Sequence, residues 1–333
     1  MAYTKHSGSL RRTLRREAPS TVGLLADPED FAAMTRYPSF PFEDHHTYLH
    51  QVDGLLRSLS AQGIHTTVVL FDSEDYADYC AQTGLDPDSP DGRTRFTAEL
   101  AGTGAGLAYA GQPITDLVPL VVDEAVRQAT WEYATLLLAG LGPCADCGEE
   151  IGPATFDRAT RILRDLLAAA GPGHHHLVCS VPADEEQLTT VLHADGGDPT
   201  GGGPPETGPP FDSRAGLDFV TVLAAGLATR GPGGLVLRST APDRPDRVHA
   251  WRLDRGRLRP LSAAEVFNAY CTDAETGEPV PPEPGVDYCP GYPVDDTDPH
   301  HPADPGGRAG PGGDRPGGPG GPPGGGADDR PAG

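Results

Sequence analysis

The chain has 333 residues, a formal net charge of -23, and 37% hydrophobic but only 6% aromatic residues. Its 44 Gly and 36 Pro are together about twice the share of an average chain, which excludes one compact globule over the whole length. No apolar run reaches the ~18 to 20 residues that a membrane-spanning helix needs, and so acidic a chain is a poor generic ligand for DNA, whose binding is driven by phosphate neutralisation.

Residues 1–18 form a basic arm, expected to be flexible, in which Arg11, Arg12, Arg15 and Arg16 are the one place for a nucleic-acid or anionic-lipid contact. No apolar core follows these charges, so the secretory pattern is absent and a cytoplasmic location is expected. From residue 19 the pattern alternates. TVGLLA over 21–26 and TTVVLF over 66–71 are short apolar runs, each followed by or ending beside an aspartate, and both read as buried parallel strands. Between them Leu49, Val52, Leu56 and Leu59 recur at helical spacing over 44–62, closed by Gly63. Strand, helix, strand is the βαβ signature.

A third strand is expected over 106–110, followed by a helix over 116–139 that is apolar on most faces and reads as buried and central. A helix over 154–170 and a strand over 175–181 come next, and 182–193 is ambiguous between the two. Residues 196–212 read as a linker, since 196–210 hold 11 Gly or Pro in 15. Beyond it, 213–228 is a helix, and 234–239, 248–253 and 257–261 are short strands at hairpin spacing. Ser262 and Glu265 form a capping box that opens a last helix. Residues 272–333 read as an acidic, Pro/Gly-rich disordered tail, although Tyr288, Cys289 and Tyr292 give its first part a means to lie along the body. The expected architecture is α/β: a core over 19–195 with an N-terminal βαβ parallel sheet flanked by helices, continued over 213–271 by a helix and an antiparallel β-meander.

Several residue patterns could carry chemistry. The unit apolar-apolar-x-Asp-x-Glu-Asp-aromatic-Ala occurs at Leu24–Ala33 and again at Val69–Asp78, each time at a strand end. Such ends border the usual ligand crevice of parallel sheets, so Asp27 and Asp72 could share Mg2+ or Mn2+ through carboxylate oxygens. The plainer reading is that both are helix N-caps followed by acidic first turns. Cys144 and Cys147, followed by Gly148, are half of a zinc knuckle. The other ligands would come from Cys179, Cys271, Cys289 or His174–His176; idle loop cysteines and a redox pair are the alternatives. His46, His50 and Asp53 stand at i, i+4 and i+7 with Arg57, a possible metal stripe but more plainly a solvated face. Gly102, Gly104 and Gly106 imitate a dinucleotide fingerprint, yet they follow a helix and precede a strand, the reverse of what it requires.

The basic residues comprise 24 Arg against Lys5 alone, and Asn occurs only at Asn268, the imprint of a high-GC genome. The segments SGSLRRTLRREAPSTVGLLADPEDFAAM, TVVLFDSEDYADYC, CADCGE and HHHLVCSVP resemble a set of actinobacterial, Streptomyces-type conserved proteins over roughly residues 5–270. The resemblance implies a cytosolic bacterial origin and carries no activity, cofactor or catalytic residue onto these positions. The sequence therefore leads to a soluble cytosolic α/β binding or regulatory protein, with a small ligand or a protein chain as partner at its strand ends. The competing reading is a metal-dependent hydrolase or phosphoryl-transfer enzyme built on Asp27 and Asp72.

Overall fold

Residues 20–183, 186–196, 213–273 and 275–295 are described by a computed structural model. The basic arm with Arg11, Arg12, Arg15 and Arg16, all but the first residue of the 196–212 linker, and the tail beyond 295 lie outside the described residues. The order of elements is β1 (Ser20–Leu24), α1 (Pro28–Met34), α2 (His45–Ala61), β2 (Thr66–Leu70), α3 (Ser73–Thr83), α4 (Pro90–Thr103), β3 (Gly106–Ala108), α5 (Ile114–Gly140), α6 (Ile151–Ala170), β4 (Gly173–Ala183), β5 (Glu186–Gly196), α7 (Arg214–Thr229), β6 (Gly233–Thr240), β7 (Asp246–Asp254), β8 (Arg257–Pro260), α8 (Ala263–Tyr270) and β9 (Val286–Cys289).

The fold is mixed α/β with a parallel pair at the N-terminus and an antiparallel sheet after it, as the sequence leads one to expect. The first sheet has the order β1-β2-β3. β1 and β2 run parallel, Ser20 opposite Thr66 and Leu24 opposite Leu70. β3 is antiparallel to β2, because helix α4 returns the chain directly to the neighbouring edge. Leu24, Leu56, Val68, Phe71, Tyr76 and Phe96 fill the core beneath this sheet, each fully buried aliphatic side chain contributing on the order of 1.5–3 kcal/mol.

The second sheet has the order β5-β4-β6-β7-β8, with β9 parallel to β7. β7 shares one edge between two partners, pairing β9 through Asp246–His249 and β8 through Trp251–Asp254. The ambiguous stretch 182–193 belongs mostly to β5, which pairs β4 from Ala183 opposite Glu186 to Gly173 opposite Gly196. The meander thus adds to a hairpin on the N-terminal side of the linker, and one sheet spans both sides of it. The tail expected from 272 likewise contributes β9 and a strap after it. Trp251 Nε1 donates to the Tyr292 carbonyl at 2.9 Å, and the Tyr292 hydroxyl lies 2.8 Å from His249 Nε2.

Helix α5 departs most from expectation. It is not buried on most faces: Leu117 and Val121 enter the first core and Ala134 the second, while Val126 is 59% and Leu136 70% exposed. Two cores on different stretches of one long helix require apolar residues at two sets of positions, so the sequence looks apolar all round. At the far side of the second core, Arg158 on α6 is buried and donates to the Gly256 carbonyl at 2.9 Å. Gly256 sits at φ 71°, where a Cβ would meet the Leu227 carbonyl oxygen at 2.6 Å.

His249 links this packing to pH. Its Nδ1–H donates to the Pro290 carbonyl at 2.8 Å, leaving Nε2 to accept from Tyr292. Burial disfavours the imidazolium more than that carbonyl favours it, so the folded pKa lies below 6.5. A depressed folded pKa means that the unfolded chain takes up the proton first, so this contribution is complete above about 6.5 and is lost as pH falls toward the folded value. Replacing His249 by Gln should flatten the fall in melting temperature between about pH 7.5 and 5.5; an unchanged slope in thermal melts would contradict this assignment.

Candidate functional site

The acidic repeat is built as helix caps. Asp27 Oδ1 accepts from the N–H groups of Glu29 and Asp30, both at 2.8 Å, and Asp72 Oδ1 accepts from those of Glu74 and Asp75 at 2.7 and 2.9 Å. Asp27 is the N-cap of α1 and Asp72 that of α3, both in extended backbone conformation. The Asp30 N–H holds the Asp27 carboxyl below its ordinary range. The two copies are also tied together: Asp30 Oδ1 accepts from the Ser73 N–H at 2.9 Å and the Ser73 hydroxyl at 2.6 Å. Desolvation nevertheless raises the Asp30 carboxyl. Desolvation also raises Asp75, assisted by the charges of Asp72, Asp78, Asp30 and Glu74.

Side chains of α2 reach the end of β1. Tyr48, buried on α2, accepts from the Leu25 N–H at 3.1 Å, and His45 Nε2 lies 3.0 Å from the Leu25 carbonyl. The Tyr48 phenol is pushed up to about 12 by its burial. Phe31, Phe40 and Phe42 pack around this ring at centroid distances of 5.1–6.1 Å. Groups that a ligand would address at the end of β1 are therefore already bonded.

Cys144 and Cys147 lie in the turn between α5 and α6. The Cys144 N–H donates to the Glu149 carbonyl at 2.7 Å, and the Gly148 N–H donates to the Cys144 carbonyl at 2.8 Å. Gly148 stands at φ 75°, a left-handed position that glycine takes without strain. The Glu149 N–H directed at the Cys147 sulfur lowers its pKa, but desolvation and the adjoining Cys144 sulfur hold the thiol above its ordinary value. The other expected ligands do not join them. Cys179 is buried in the second core with its thiol pushed up to about 12, and Cys271 is buried at the end of α8. Among the described residues no group of three or more His, Cys, Asp or Glu is arranged to hold a metal ion. The metal-dependent hydrolase or phosphoryl-transfer reading finds no support in this geometry.

The remaining patterns separate. His46 and His50 are exposed, whereas Asp53 is buried and pairs with Arg57 at 2.9 Å, so the stripe divides between solvent and core. Gly104 is a left-handed C-cap at φ 82°, and a Cβ at Gly106 would collide with the Thr67 side chain, so both glycines serve local geometry. Two groupings went unread in the sequence. On the open face of the second sheet, His176 stacks on His193 at 4.6 Å and 10°, beside His174, whose Nδ1 lies 2.7 Å from Asp195 Oδ1. Desolvation, helped by His193 and Arg238, lowers the His176 pKa. Recognising β5 as a strand would have brought these four residues together. Between α5 and α7, Arg127 bonds to Asp218 and to Glu124, and Arg214 to Glu124 and Gln128.

A family model described as a domain of unknown function (DUF8829) matches residues 9–112. That span holds the whole three-stranded sheet and ends before α5. No curated protein and no solved structure matches the chain. No helix among the described residues is long and apolar enough to cross a membrane.

The caps make a sharp expectation. Asp72→Ala should cost about 1 kcal/mol of stability and Asp72→Asn far less, because Asn caps nearly as well, and millimolar Mg2+ should leave the melting temperature of the wild type unchanged. A Mg2+-dependent rise that Asp27→Asn or Asp72→Asn abolishes would instead make the carboxylates metal ligands.

Proposed function

We propose that this chain is a binding or regulatory protein that receives a partner polypeptide along the outer edge and open face of β5. The carrying observation is the strand itself. β5 ends the sheet order and spans Glu186–Gly196. Its side chains alternate strictly, with Gln187, Thr189, Val191, His193 and Asp195 exposed and Leu188, Thr190, Leu192 and Ala194 buried. Edge strands are ordinarily short or guarded by Pro, Lys or a bulge, because unpaired N–H and C=O groups template another strand. β5 is long, lacks Pro and Lys, and presents β-branched residues suited to strand addition. The Leu25 N–H and carbonyl at the end of β1 are already bonded to Tyr48 and His45, which favours this surface over that strand end for a partner. A cytoplasmic setting in a high-GC, actinobacterial host accords with the Arg-for-Lys usage.

A photo-reactive residue in place of Val191 tests the proposal in the cell that makes the protein. A discrete heavier adduct is expected from this position and not from Arg95 on α4, which is also exposed. Equal labelling at both positions, or none at either, would contradict the proposal.

A further inference from the structure

β4 and β5 carry three exposed imidazoles on the open face of the second sheet, those of His174, His176 and His193. His176 stands directly opposite His193 in the antiparallel register, and their rings lie face to face with centroids 4.6 Å apart and planes 10° apart. On one side of this pair Val178 opposes Val191, and on the other His174 opposes Asp195, bonded Nδ1 to Oδ1 at 2.7 Å. The stack is thus a cross-strand contact between the edge strand and the sheet beside it. Side chains set opposite one another in this way add to an antiparallel pair beyond its backbone bonds.

The charges that face the stack are committed elsewhere. From β6, Arg238 stands opposite His176, and its guanidinium bonds to Asp246 of β7 and to Glu283, both at 2.8 Å. Asp195 is engaged by His174. α8, which covers β7 on this face, brings Tyr270, whose phenol burial holds above its ordinary value and so neutral. α5, α6 and α7 pack on the opposite face, against Leu177 and Leu192, so the sheet separates Arg127, Asp218 and Arg214 from the stack. His175 points to that same side, with Nδ1 3.0 Å from Ser239 Oγ and Nε2 2.8 Å from the Gly171 carbonyl.

We propose that the stack of His176 on His193 is a proton-operated clasp that sets how firmly the β5 edge is held to β4. Two neutral imidazoles, or one imidazolium against a neutral ring, share the stacked geometry without repulsion between like charges. A second proton puts like charges directly opposite one another on adjacent strands, which is destabilising. Arg238 adds a positive charge beside them, and the nearby carboxylates are already bonded to Arg238 and His174. The pair therefore takes its two protons from solvent in separate steps, the second only as the rings part. Desolvation first, then His193 and Arg238, hold His176 below its ordinary value. A histidine lowered in the closed form favours the parted form as pH falls, so the clasp is closed at neutral pH and opens on acidification. On the reading that β5 receives a partner strand, on which this consequence rests, acid loosens the receiving edge.

The test follows amide exchange of β4 and β5 in the full chain, as protection relative to the free-peptide rate at each pH, together with the ring titrations of His176 and His193 by NMR. Between about pH 7.5 and 5, the range in which imidazoles change charge, the amides that join β5 to β4 around His193 should lose protection. The loss should reach up to about fivefold, the scale of like charges set opposite on paired strands, and the two rings should titrate over a broader range than one proton does. His176→Gln and His193→Gln should each abolish that loss, and His193→Gln should leave His176 with a one-proton curve of higher midpoint. Amides of β7, which answer to His249, are the reference that both variants leave unchanged. Full protection of β5 in acid in the wild type, a loss that survives both glutamine variants, or ordinary one-proton curves for the stacked rings would overturn the proposal. No partner enters this measurement, so its failure is distinct from a failure of adduct formation at Val191.

Discussion

The ion pair between Arg127 on α5 and Asp218 on α7 sits on the one helix that contributes apolar residues to the cores of both sheets. Asp218 is buried in a helix otherwise packed with apolar residues, and an unpaired carboxylate there would be prohibitively costly. Arg127 is held in turn by Glu124 at 2.6 Å, and Glu124 also receives Arg214 from the first turn of α7 at 3.2 Å. These bonds and desolvation compete on Arg127, and the bonds prevail, raising its pKa.

The same network reaches the first sheet. Gln128, buried between the helices, donates to the Thr103 carbonyl at the end of α4 and to Glu132, and Arg214 donates to the Gly104 carbonyl. α5 thus gives its first turns to one core and its later turns to the other, with a polar joint between. The matched family span stops just short of this helix, so the six-stranded sheet lies outside it, and of the joint only the Thr103 and Gly104 carbonyls fall within it. The six-stranded sheet that β5 borders and the three-stranded sheet within that span both pack against α5.

Local rules made much of the fold legible. Short apolar runs marked β1 and β2, and the capping box at Ser262 marked α8, with the Ser262 N–H donating to Glu265 at 2.8 Å. What escaped were features decided by tertiary context. β5 reads poorly because Glu186 and Gln187 suit a helix start and only its pairing with β4 selects the strand. The direction of β3 depends on the return of α4, and β9 gains its place from Tyr288 and Tyr292 meeting groups distant in sequence. Among site residues, the roles of Asp27 and Asp72 as caps were legible, since a cap needs only its own first turn. The stacking of His176 on His193 and the pairing of Arg127 with Asp218 were not, because each joins residues with no common sequence pattern.

If the Arg127–Asp218 joint makes the two sheets one cooperative unit, native-state hydrogen exchange of Asp218→Asn tests it most directly. Amides of β2 and of β4 should lose protection together, by roughly 2–4 kcal/mol, the scale of breaking a buried pair whose surviving partner keeps a second ligand. A loss confined to β4 and its neighbours, with β2 protected as before, would show that the ion pair stabilises only the sheet it touches.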